Sequence, residues 1–145
     1  MELGTGTGLA LSWILSGADA QSSVISIDND PALIDLAKTF FAKDSRLELI
    51  CQDGNAWIKS YKGEPFDLIF ADAWPGKFDL LEETLELLVD GGIYIIDDLL
   101  QQPNWPEGHK EKVEALIKKL ETNEKLNLTK LNWSTGLIIA TKRDI

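Results

Sequence analysis

Glu2-Leu3-Gly4-Thr5-Gly6-Thr7-Gly8, followed by Leu9 to Leu15, is the stretch that decides the fold. Two residues read as the end of a strand, then a turn with alternating glycines, then an apolar helical segment. Such a turn lets the backbone approach a ligand at a helix N-terminus. The spacing rules out two nucleotide motifs. A dinucleotide fingerprint requires G-x-G-x-x-G, and Leu9 stands where the third glycine belongs. No G-x-x-x-x-G-K-[ST] occurs, so a phosphate loop is also excluded.

Outward from this turn, strand-length apolar runs alternate with helical patterns. Val24–Ile27 reads as a strand ending at Asp28, and Leu47–Ile50 as one ending before Asp53. Phe66–Ala71 ends at Asp72, and Ile93–Ile96 at Asp97-Asp98. Between them, Pro31 to Ala42 carries the helical period in Leu33, Leu36, Ala37, Phe40 and Phe41, with Pro31 well placed at its start. Ala56 to Tyr61 reads as a short helix, and Phe78 to Val89 as an amphipathic one stopped by Gly91-Gly92. Val113 to Leu120 belongs to a helix opened by Asn104-Trp105-Pro106-Glu107. Leu126–Leu131 and Gly136–Thr141 read as a closing hairpin. The pattern predicts an α/β fold: five parallel strands joined by helical right-handed crossovers, then an antiparallel hairpin. Ligands of such sheets bind beyond the carboxyl ends of the strands. Asp28, Asp53, Asp72 and Asp97 all fall on that rim. Each alone reads as a turn or cap residue; together they describe a ligand rim.

The chain has 145 residues, 14 Lys+Arg against 24 Asp+Glu, and 44% hydrophobic residues. That is enough apolar material for one core, and it excludes disordered, collagen-like and disulfide-stapled classes. The single cysteine, Cys51, cannot form an internal bridge, which fits the reducing cytoplasm. It reads as a core residue at a strand end. No apolar run reaches membrane-spanning length, and no basic leader precedes the turn. A net charge of −10 argues against nucleic acid as a partner. The charge is uneven: residues 106–145 hold 8 bases against 6 acids. That segment reads as a solvated basic helix, or alternatively as a partner surface.

The quoted turn resembles motif I, E-x-G-x-G-x-G, of class I S-adenosylmethionine-dependent methyltransferases. The resemblance implies a Rossmann-like three-layer sandwich with a seven-stranded, mostly parallel sheet in the order 3-2-1-4-5-7-6. It also implies S-adenosylmethionine as cofactor. Glu2, Gly4, Thr5, Gly6 and Gly8 would form the methionine and ribose turn. Asp28 and Asn29, 20 and 21 residues after Gly8, would meet the ribose hydroxyls. Asp53 and Gly54 would lie near the adenine, with Asp72 and Trp74 at the mouth.

Asp72-Ala73-Trp74-Pro75-Gly76-Lys77-Phe78 and Ile96-Asp97-Asp98 resemble the fourth- and fifth-strand segments of catechol O-methyltransferase-like enzymes. There such side chains hold a divalent cation, usually magnesium. The resemblance makes Asp72, Asp97 and Asp98 candidate metal ligands, an oxygen set that suits a hard cation. Two positions depart from the pattern. Asp98 replaces an amide, and the family's lysine falls at Pro75, with Lys77 two places on. Asp72, Lys77 and His109 are the candidate catalytic residues. His109, the sole histidine, reads either as a base or as a solvated residue in a first helical turn. Trp105 is a candidate substrate-facing aromatic, and Trp57 a candidate adenine cover or a core residue.

The function implied is O-methylation of a small molecule. The alternatives are methyl transfer to an amine or protein side chain without metal, and a cofactor-binding module. The N-P-P-Y signature of many amide and base methylases is absent after the fourth strand. Only Met1 to Leu3 precede the turn, so the first strand and any helical cap are expected to be short or missing from this methyltransferase core (residues 1–145). A second copy, as a homodimer, is one way to supply the missing wall.

Overall fold

Seven strands hydrogen-bond in the order β3-β2-β1-β4-β5-β7-β6 in the computed structural model, which describes residues 1–144. The strands are β1 (Glu2–Leu3), β2 (Val24–Asp28), β3 (Leu47–Cys51), β4 (Phe66–Ala71), β5 (Leu88–Ile96), β6 (Leu126–Leu131) and β7 (Leu137–Lys142). The helices are α1 (Leu9–Gly17), α2 (Pro31–Phe41), α3 (Gly54–Ser60), α4 (Leu81–Glu86) and α5 (His109–Glu121). The first five strands are parallel; β7 runs antiparallel to both β5 and β6. This is the Rossmann-like methyltransferase order expected from the glycine turn.

The pleat explains the two cores. Central strands bury both faces, so they read as continuous apolar runs. One cluster packs Leu11 and Leu15 of α1 against Val24, with Phe41, Leu47 and Leu49 around it. The other joins Leu3, Ile27, Ile69, Tyr94 and Ile96 to Ile58, Leu81, Leu85, Val113, Leu116 and Leu120 from α3, α4 and α5. Because β1 is central, its two residues bring the glycine turn to the middle of the rim. Among the described residues, no helix is long and apolar enough to cross a membrane.

Two elements differ from the sequence pattern. The helix expected over Phe78 to Val89 is only α4. Trp74 O accepts from the amides of Lys77, Phe78 and Asp79, folding that segment into a turn, and Leu80 takes φ 54°. At the other end, Phe66 N donates to Leu87 O at 2.7 Å, and Leu88 already pairs with Phe66. β5 therefore begins before the glycines, and Gly91, at φ 78°, sits within its irregular stretch. Cys51 is exposed, not in the core. It ends β3, an edge strand of the sheet.

Candidate active site

A cavity of about 440 Å³ opens at the carboxyl ends of β1 to β4. Its walls include Gly4, Gly6, Asp28, Asn29, Asp53, Gly54, Asp72 and Trp74, eight residues expected from the sequence. Leu3, Ile27, Gln52, Ala73 and Pro75 also line it. Gln52 and Ala73 were signalled only by adjacency to Asp53 and Asp72. Leu3 and Ile27 read as plain strand residues, so no sequence signal marked them.

The turn is held from two sides. Gly4 N donates to Ile27 O at 2.9 Å, and Gly6 N to Asp28 Oδ2 at 2.9 Å. Gly4 has φ 100°, and a Cβ there would stand 3.1 Å from both Ala73 Cβ and Asp72 O. Gly54 packs against Pro75 in the cavity wall, where a Cβ would come within 2.7 Å of the proline. Both positions need glycine because a Cβ would collide with the segment after β4.

Asp28 also accepts from Asp30 N through Oδ1 at 2.9 Å. Asp53 caps α3, its Oδ1 accepting from Ala56 N at 2.8 Å. Both acids thus shape local backbone and face the cavity at once.

Glu2, Thr5 and Gly8 do not line the cavity. Glu2 is fully buried beneath the turn. Ser26 Oγ donates to its Oε2, and Ser26 and Thr5 hydroxyls lie 2.6 Å apart. Glu2 Oε1 has no partner. Burial pushes the Glu2 carboxyl up to about 7, against the opposing Ser26 hydrogen bond. Gly8 stands at the N-cap of α1, against Phe41. These three residues support the turn and do not reach the ligand space.

The β4–β5 side is organised differently. Burial raises the Asp72 carboxyl above its usual range; neighbouring Asp97 adds to this, Lys77 opposes it, and Asp98 contributes further. Asp97 Oδ1 accepts from Thr135 Oγ1 at 2.5 Å and from Asp98 N at 2.6 Å. Asp98, at φ 60°, receives Trp105 Nε1 at 3.1 and 3.3 Å on its two carboxylate oxygens. Lys77 is buried, and its Nζ donates to Asp97 O at 2.6 Å. Burial lowers the Lys77 ammonium below its usual range, against the three surrounding carboxylates.

This tests the expected cation site. Among the described residues, no group of three or more His, Cys, Asp or Glu side chains is arranged to hold a metal ion. The expectation that Asp72, Asp97 and Asp98 converge on a cation is therefore not met. Thr135 and Trp105 already engage two of the three carboxylates, and the Lys77 ammonium is bonded to the backbone carbonyl of Asp97 beside them. The donor set does not fit the group.

His109 opens α5 and is 6% exposed, so the solvated reading is wrong. Its ring lies 4.6 Å from Trp105, 5.3 Å from Phe78 and 6.2 Å from Trp74, centroid to centroid. Neither nitrogen has a hydrogen-bond partner. Trp105 is half-buried, anchored on Asp98. Trp57 is in the core, stacked on Tyr61 at 4.7 Å, and does not line the cavity. Trp74 is 48% exposed and forms the outer lip of the cavity.

The family model described as "Methyltransferase domain" matches residues 1–99, and the chain belongs to that family. A proposed O-methyltransferase of Mycobacterium avium (strain 104) is 34% identical over 100 residues, which is 66% of this chain and 45% of the relative. The matched stretch thus spans about half the length of the curated relatives. Among solved structures, the O-methyltransferase from Bacillus cereus in complex with SAH superposes with TM-score 0.83 at 21% identity, covering 98% of this chain and 72% of that one. TomG from Streptomyces achromogenes, an O-methyltransferase in complex with SAM, gives TM-score 0.83 at 18% identity, covering 99% and 72%.

Proposed function

We propose that the chain binds S-adenosylmethionine in the 440 Å³ cavity and transfers its methyl group to the hydroxyl of a small molecule. The observation that carries this is the meeting of Gly4, Gly6, Asp28, Asp53 and Asp72 around one space. The turn takes the methionine and ribose, Asp28 and Asn29 accept the ribose hydroxyls, and Asp53-Gly54 face the adenine. O-methyltransferase relatives, and fold neighbours holding SAH or SAM, support the reading.

The reaction is a direct displacement. The acceptor oxygen forms a bond to the methyl carbon as the carbon–sulfur bond breaks, and its electron pair neutralises the sulfonium. The main contribution open to the protein is alignment. Asp72, on the rim at the end of β4, takes the hydroxyl proton. Lys77 positions the β5 end through Asp97 O. His109, sealed behind three rings, packs α5 against the Trp74–Asp79 turn. No step runs through a metal ion.

The chain, residues 1–145, acts as one methyltransferase core with a small-molecule partner. The test is incubation with labelled S-adenosylmethionine and a panel of phenols, amines and peptides. O-methylated phenols are the expected products. Methylated amines or peptides alone would overturn the acceptor class.

A further inference from the structure

A second cavity, about 370 Å³, lies between α4 and α5 and shares Trp74 with the cofactor space. Trp74, Phe78, Leu81 and Leu116 give it apolar walls. Its charged residues are Lys77, Lys112 and Lys119 against the single acid Asp79. In a chain of net charge −10, a cavity with this balance stands out.

The three lysines are not equivalent. Lys77 is turned away onto the carbonyl of Asp97. Lys119 pairs with Glu82 at 3.1 Å. Lys112 has no carboxylate within ion-pair distance among the described residues, and its Nζ lies 4.2 Å from the centroid of the Trp74 ring. Lys112 is exposed, so its ammonium rests on the Trp74 face with its N–H donors open to water, and a ligand carboxylate is the stronger partner for them. The volume falls in the range of small-molecule sites, ~300–1,000 Å³. Trp74 lines both this space and the rim cavity where Asp72 stands.

We propose that this cavity is the acceptor subsite, and that it selects a phenol bearing a carboxylate. The aromatic ring lies against Trp74 and Phe78, the carboxylate meets Lys112, and the hydroxyl points past Trp74 toward the cofactor. This rests on the methyltransferase reading above and names its acceptor class. It also gives the basic face of α5 a role that bulk charge does not.

The test is calorimetry with 3,4-dihydroxybenzoate and with catechol on the chain saturated with S-adenosylhomocysteine. The acid is expected to bind about tenfold tighter than the neutral diol, the scale of one charge-assisted hydrogen bond. Lys112→Gln should bring the two affinities together, and Lys112→Arg should keep the preference. Lys118→Gln, on the same helix but off the cavity, should change nothing. Equal affinities in the parent chain, or a preference that survives Lys112→Gln, would overturn the proposal while the cofactor reading stands. Failure of S-adenosylhomocysteine itself to bind would sink both.

Discussion

At the ends of β2 and β3, Asp28 and Asp53 accept backbone amides and still face open space. At the end of β5, Asp97 and Asp98 accept from Thr135 and Trp105, with a buried lysine beside them. The residue type and strand position are shared; the neighbours are not. On the first side the partners are local amides within a turn or a helix cap, so the carboxylate keeps lone pairs for a ligand. On the second, partners arrive from Thr135 in the β6–β7 turn and from the loop before α5. A row of strand-end acids is thus a ligand rim only where the rest of the chain leaves it free.

The first way to break this comparison is from below the glycine turn. Glu2 has a folded-state value of about 7 against an ordinary 4.5. The folded chain binds this proton more tightly, so its contribution to stability is best below about 4.5, falls as pH rises to about 7, and is level above that. At ~1.4 kcal/mol per unit, the span is at most roughly 3 kcal/mol. Urea unfolding of the parent and Glu2→Gln across this window should show the parent losing stability relative to the variant as pH rises. Parallel curves would contradict the burial of Glu2.

A smaller effect separates the rim from the β5 irregularity. Gly4→Ala combines positive φ with close contacts to Ala73 and Asp72, whereas Gly91→Ala has positive φ and open space. Gly91→Ala should cost about 1 kcal/mol from backbone strain, and Gly4→Ala more than that. Gly4→Ala alone should also weaken S-adenosylhomocysteine binding. Equal losses of stability, with binding intact in both, would remove the special role given to Gly4.

The smallest expected effect concerns the β5 acids. A chelator should leave both cofactor affinity and methyl transfer unchanged, because those carboxylates are already engaged within the protein. Activity lost to a chelator and restored by magnesium would show that Trp105 and Thr135 release them.

What the sequence made legible follows the range of the interactions. The alternation of strands and helices and the cavity acids rest on local pattern plus the glycine turn, and the sheet order on the family resemblance that turn carries. Eight expected residues do line one cavity. The misreadings depend on partners that hydrophobic periodicity does not mark, some a few residues away and some on other strands or turns. Phe78 belongs to a turn because Trp74 O collects three amides, and Leu88 is a strand residue because β4 lies beside it. His109 is buried by rings from two other segments, and Asp98 is held by an indole seven residues on. No spacing within a single segment announces such contacts.

The central claim is that Asp28 and the glycine turn form an S-adenosylmethionine site. Calorimetry with S-adenosylhomocysteine tests it most directly, comparing the parent chain with Asp28→Ala, each checked for cooperative unfolding. The parent should bind, and the variant should lose about tenfold or more, the scale of hydrogen bonds to a charged group, ~1.5–3 kcal/mol. Unchanged affinity in Asp28→Ala, or no binding by the parent, would contradict the site.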